Sequence, residues 1–186
     1  MAVGGVMVGL FPLLHPAHDA AGYASAAWAP VHLLPHVGLI LIMAGLPRLV
    51  LRHRVGGGRL LRVGTAVAYV GMALTLAQAM VEAFVFPLWA VDAPERLTSP
   101  PPVGAGVFMG VGSLAFLLGF VLLGIAIART RALPTYAGVL VALGGPAFGL
   151  GGAGLGLAPV FVTGGLLLGA GLLWLGVALK PSVREG

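Results

Sequence analysis

VGAGVFMGVGSLAFLLGFVLLGIAIA, residues 103–128, runs without an ionisable side chain and stops at Arg129. A helix over this run rises ~39 Å at ~1.5 Å per residue, more than the ~30 Å hydrocarbon core of a bilayer. A water-facing helix of this length would carry a polar stripe. The only side-chain polar group here is the Ser113 hydroxyl. The run therefore reads as a membrane span, and it sets the standard for the rest of the chain.

Five further segments have the same character: Ala2 to Leu14, about Pro30 to Leu51, about Leu61 to Trp89, about Pro134 to Gly152 and about Pro159 to Leu179. The expected fold is all-α, a single polytopic transmembrane helical bundle over residues 1–186 with six helices. The first is short, ~20 Å of helix. No Lys or Arg precedes it, so it lacks the basic flank of a secretion signal. A shortened first helix, from a late start or a truncated beginning, is the expectation.

Composition agrees. Hydrophobic residues make up 59% of the chain and charged residues 8%, against about 25% charged in soluble domains. The mean hydropathy is +1.07. The net charge of +5 does not point to nucleic acid. The ten Lys and Arg residues fall in short clusters between apolar runs, whereas a nucleic-acid face is a continuous patch. The absence of cysteine excludes disulfides, thiolate metal sites and iron–sulfur clusters.

The clusters orient the chain. Arg48, Arg52, Arg54, Arg59 and Arg62 surround the second connection, with His53 among them; Arg129 and Arg131 mark the fourth; Lys180 and Arg184 follow the sixth helix. With six crossings all nine lie on one side, and only Arg96 does not. The positive-inside rule makes that side cytoplasmic, with both termini. Asp19, Asp92 and Glu95 lie opposite, on the external side, and Glu82 just inside the membrane there. Residues 91–102, with Pro94 and Pro100 to Pro102, read as an extended external loop. Tyr23, Trp28 and Trp89 suit an aromatic belt at that interface.

Candidate chemistry gathers at the external end. His15 and His18 close the first segment in His-Pro-Ala-His-Asp, ending at Asp19; His32 and His36 open the second, one helical turn apart on one face. Pro35 between them is a potential kink. Glu82 lies ~7–8 Å inside the third segment, a depth similar to that of His36. Thr75, Gln78 and Glu82 form a narrow polar stripe. An ionisable group in a span marks a functional site by default, and His36 or His32 is the expected partner of Glu82. The candidate cluster is His15, His18, Asp19, His32, His36, Gln78 and Glu82, with His15, His32, His36 and Glu82 as the metal-ligating subset.

Three chemistries suit such a set. Imidazoles and a carboxylate suit zinc or another divalent metal. Two imidazoles on different helices suit b-type haem. A His–Glu pair suits proton relay or contact with a quinone-like ligand. Each competes with a plainer role, solvated interfacial imidazoles and a carboxyl that ties helices together.

Glycine motifs need their context. Gly149-Leu-Gly151-Gly152-Ala-Gly154 matches G-x-G-x-x-G but follows a membrane segment, with no acidic residue about 20 positions on. It reads as a helical hairpin, and Gly144, Gly145 and Pro146 as a bend before it. Gly106-xxx-Gly110 and Gly165-xxx-Gly169 suit close helix crossings, within the chain or in a homo-oligomer or membrane complex. There is no P-loop, H-E-x-x-H or G-x-S-x-G.

His15-Pro16, Asp19, Trp28, His32 and Gly45-Leu46 resemble a pattern in small bacterial integral membrane proteins of unknown function. The resemblance covers about the first 50 residues; it implies a six-helix membrane fold and supplies no activity. The leading expectation is therefore a bacterial inner-membrane protein acting as an accessory, sensing or assembly component, with no recognisable catalytic apparatus. Haem- or metal-dependent electron transfer and small-solute or proton transport are the alternatives.

Overall fold

The computed structural model describes residues 1–52, 58–130, 132–152 and 157–179. The elements are α1 (Ala2–Leu14), α2 (Ala20–Tyr23), α3 (Trp28–Arg52), α4 (Gly58–Phe84), α5 (Phe86–Asp92), α6 (Glu95–Thr98), α7 (Val103–Thr130), α8 (Thr135–Gly151) and α9 (Ala158–Ala178). Each of the six expected segments is a helix. The third is continued past Val85 by α5, with Pro87 in its first turn, where a missing N–H is tolerated. His53, Arg54, Arg131, Lys180, Arg184 and Glu185 lie outside the described residues, as does the end of the G-x-G-x-x-G run.

Four helical stretches are long and apolar enough to cross a membrane: Trp28–Leu51, Gly58–Asp92, Val103–Thr130 and Ala158–Ala178. The apolar helices Ala2–Leu14 and Thr135–Gly151 are shorter. This is a multi-pass membrane protein by length and composition. Side chains such as Leu10, Ile40, Val70, Leu114, Leu143 and Val177 are exposed on the outside of the bundle. Apolar exposure on every long helix is what a lipid solvent permits and water does not.

The six apolar helices close into a ring. α1 packs on α3, α3 on α4, α4 on α7, α7 on α8, α8 on α9, and α9 returns to α1. Neighbours are antiparallel. The N-terminal part of α1 meets Gly45 and Gly176, near the ends of α3 and α9, while Gly9 faces Gly165 and Gly169. One core joins all six, with Phe11, Phe116, Phe120, Phe148 and Phe161 as its aromatic part. The ring has an arginine end, where Arg48, Arg59, Arg62 and Arg129 are exposed, and a histidine end with His15, His18, Asp92 and Glu95.

Lipid tails are as apolar as leucine, so packing rather than the hydrophobic effect must hold these helices together. Glycine allows the approach. Gly64 and Gly71 on α4, and Gly112 and Gly119 on α7, are spaced by seven residues, so each pair shares a face. A β-carbon on Gly64 would stand 2.7 Å from the Leu123 nitrogen, and one on Gly71 or Gly119 would run into the facing backbone. Gly144 and Gly145 do not break α8, which continues through Pro146. Gly144 admits Leu168 of α9 and Gly145 admits the Phe120 ring of α7, one neighbour on each side.

Two expectations need correction. Gly106 and Gly110 form no crossing within the chain among the described residues: a β-carbon on Gly110 meets no atom within 4 Å, and one on Gly106 reaches only Pro101 at 3.8 Å. Gly165 and Gly169 do form a crossing, against Pro12 and against Gly5 and Gly9 of α1. The loop over residues 91–102 is not wholly extended. α5 reaches Asp92, and α6 forms one turn in which the Thr98 and Ser99 hydroxyls donate to the Glu95 carbonyl at 3.1 and 2.7 Å. The helix α3 is continuous through Pro35 and Pro47.

These contacts predict opposite responses at two glycines. In Gly164→Val the β-carbon would run into the backbone of Ala147 and Phe148, and such overpacking costs about 1–3 kcal/mol. Gly110→Ala adds a methyl to open space. Thermal unfolding in detergent should show a clear loss of midpoint for Gly164→Val and no loss for Gly110→Ala.

Candidate functional site

The connection from α1 to α3 builds the histidine end. Pro16 follows His15 and stops the helix, since the residue before proline is steered away from helical backbone; His15 sits at φ −67°, ψ 122°. Asp19 then caps the single turn of α2, its carboxylate oxygen accepting from the Gly22 nitrogen at 2.7 Å. Gly22 is required here, because a β-carbon would run into the Ala17 carbonyl. This folds His15 and His18 back over the start of α3. Their rings stack with centroids 4.6 Å apart.

Trp28 anchors the arrangement. It is 1% exposed, and its indole Nε1 donates to the Glu82 carbonyl at 2.8 Å, joining α3 to α4. Its ring is therefore turned into the bundle rather than outward. Trp28, His32 and His36 follow at four-residue intervals on one face of α3. The Trp28 ring lies 4.3 Å from that of His32 and 5.3 Å from that of His15. Phe11 packs edge-on to His15 and His32 at 5.0 and 5.4 Å, and Phe161 approaches His15 at 5.8 Å.

The hydrogen bonds fix the protons on the imidazoles. His15 Nδ1 lies 2.6 Å from the Pro16 carbonyl, His32 Nδ1 2.8 Å from the Trp28 carbonyl and His36 Nδ1 2.6 Å from the His32 carbonyl. A carbonyl only accepts, so all three Nδ1 atoms carry hydrogen. In a neutral ring the other nitrogen is then bare. His15 Nε2 and His32 Nε2 face each other at 3.2 Å. His36 Nε2 is buried without a hydrogen-bond partner among the described residues.

Two bare nitrogens at 3.2 Å repel unless something positive stands between them. One shared proton satisfies the pair, and so does a metal ion. Outside the membrane-spanning helices, burial is the main cause that lowers the pKa of His15 to about 4, helped by the nearby His18 and His32 charges and opposed by the bond to Pro16. Burial also lowers that of His18. His15 is thus neutral at neutral pH, with Nε2 free to accept or ligate. Tyr23 is raised, first by burial and then by the Glu82 and Asp19 carboxylates.

Of the expected cluster, the structure brings His15, His18 and His32 together, with His36 one turn away on the same helix face. Asp19 is beside them in sequence but is engaged as a helix cap. Gln78 is directed elsewhere: its side-chain nitrogen donates to the Met109 carbonyl of α7 at 3.0 Å and lies against Gly112. Glu82 contributes its backbone carbonyl to Trp28, and no described residue donates to its half-buried carboxylate, so the expected pairing with His32 or His36 does not form. Arg96, the one Lys or Arg at this end among the described residues, lies 6.0 Å over the Trp89 ring, a cation–π contact. Among the described residues no group of three or more His, Cys, Asp or Glu side chains is gathered as a ready metal cage.

Sequence reasoning missed the buried role of Trp28 and the parts played by Phe11 and Phe161. The spacing Trp28-xxx-His32-xxx-His36 carried the signal for Trp28; nothing in sequence brings Phe161 to α1. Comparison with models of known protein families, with curated proteins and with solved structures finds no match.

The capping role makes a prediction. Asp19→Ala should lower stability by about 1 kcal/mol, and Asp19→Asn should restore most of it, because asparagine caps as well. Thermal unfolding of the three proteins in one detergent checks this. Equal loss in both variants would mean that the carboxylate charge, rather than the cap, is what matters.

Proposed function

We propose that this is a six-crossing protein of the bacterial inner membrane, with both termini cytoplasmic, acting as an accessory or sensing component. Its responsive element is the His15–His32 pair at the external end. The observation that carries this reading is the 3.2 Å contact of two Nε2 atoms whose Nδ1 partners are both backbone carbonyls. Such a pair changes state whenever a cation enters or leaves it, and it ties α1 to α3.

Several features support the topology. α1 and α8, though short, are full members of the ring, and its two ends differ in charge as the positive-inside rule requires. The likeness of the first 50 residues to small bacterial six-helix proteins belongs to the same proposal. Haem has less support. Two axial imidazoles must lie on opposite faces of the macrocycle, with nitrogens ~4 Å apart at ~2.0 Å per bond. Here the nitrogens are in contact and Phe11 packs against both rings. Transport through a His–Glu pair has less support too, because Glu82 and the histidines are not joined.

Alkaline phosphatase fused after Gly186 should be inactive, and the enzyme inserted at Pro101 active; the reverse pattern contradicts the topology. For the role, His32→Asn in the producing cell should shift the membrane proteome as deletion of the gene does while the protein remains inserted. A wild-type proteome in that strain contradicts it.

A further inference from the structure

The histidine pair has the geometry of half a metal site. Two imidazole nitrogens bound to one tetrahedral ion at ~2.0–2.1 Å stand about 3.3 Å apart. His15 Nε2 and His32 Nε2 stand 3.2 Å apart, supplied by two different helical segments. Each ring is held by a bond from its other nitrogen to a backbone carbonyl, at 2.6 Å to Pro16 and 2.8 Å to Trp28. That is the outer-shell arrangement that orients a ligating histidine and leaves Nε2 bare. His36 places a third bare Nε2 on the same face of α3, buried and without a partner among the described residues.

We propose that His15 Nε2 and His32 Nε2 together bind one divalent transition-metal ion of the zinc class, taken up from the external side. This rests on the reading above only for the side from which the ion comes. Imidazole donors without thiolates or carboxylates in contact suit Zn²⁺, Co²⁺, Ni²⁺ or Cu²⁺ rather than Mg²⁺ or Ca²⁺. Two protein ligands leave the remaining positions to water or an exchanging partner, so the ion is held but can leave. Exposed His18, stacked on half-buried His15, marks the way in, while His32 is fully buried behind it. The ion supplies the positive charge that removes the repulsion of the two bare nitrogens. Binding of this kind stabilises the α1–α3 contact by an amount that rises with the logarithm of ion concentration above Kd, which is the graded response a sensing role needs.

The experiment uses the full chain without a histidine tag, purified in detergent and freed of metal. Co²⁺ is titrated and followed by its visible absorption. One Co²⁺ per chain with tetrahedral-type bands is expected. His15→Ala and His32→Ala should each weaken binding more than about 100-fold, beyond the ~10–100-fold of losing an outer-shell partner; Gln78→Ala should leave it unchanged. X-ray absorption of the Zn²⁺-loaded unsubstituted protein supplies a reading that does not depend on how the variants fold, with at least two imidazole nitrogens at ~2.0–2.1 Å. No cobalt bands, a zinc shell without imidazole, or binding indifferent to both substitutions in folded protein each overturns the site. The measurement is made in detergent and has no sidedness, so its failure is distinct from a failure of the topology.

Discussion

Close approach of helix backbones is the constraint on which everything else here depends. In lipid there is no gain from taking leucine out of the solvent, so association rests on packing contact and on the few polar bonds available. The chain meets this with glycine at the crossings. Gly5 and Gly9 meet Gly165 and Gly169 where α1 joins α9, and Gly64 and Gly71 interleave with Gly112 and Gly119 where α4 joins α7. Replace the glycines with larger residues and the ring opens, and the histidine end goes with it, since its rings come from α1, α3 and α9.

The same apolar setting shapes the chemistry of that end. A polar side chain away from water takes the nearest acceptor, which on a helix is the carbonyl one turn back. His32 and His36 both do this, on Trp28 and His32. The consequence is that Nδ1 is engaged and Nε2 is left bare, whatever the ring faces. Trp28 completes the frame by donating to the Glu82 carbonyl, so that the start of α3 and the end of α4 are fixed relative to the imidazoles. The site is a product of local backbone bonding placed in register by glycine crossings.

Much of this was legible in the sequence. Length and polarity of the apolar runs gave six helices with boundaries close to those observed, because few charges interrupt them. The gathering of His15, His18 and His32 followed from topology, since the first connection must bring the end of α1 to the start of α3. What failed has physical reasons. Gln78 and Glu82 share a stripe, but Gln78 faces α7, because α4 packs there through Gly71 and Gly112, and it is the C-terminal end of α4, at Glu82, that reaches Trp28 of α3. The four-residue glycine spacing pointed to Gly165 and Gly169, which do meet α1, and to Gly106 and Gly110, which meet no other described helix of the chain, while the α4–α7 contact uses a seven-residue spacing. Trp28 read as an interfacial aromatic because residue type cannot tell which way a ring turns when both directions are apolar.

The central claim is that a helix too short to cross unaided closes the ring and brings the first histidines to the third and ninth elements. Solid-state NMR on protein in bilayers, with labelled phenylalanine rings, tests it without altering the chain. Phe11 of α1 and Phe161 of α9 stand 5.6 Å apart between ring centroids. The account predicts a direct ring-to-ring cross peak between these two residues. Its absence, with the Phe148–Phe161 contact at 5.1 Å still observed, would show that α1 lies outside the ring and would contradict the account.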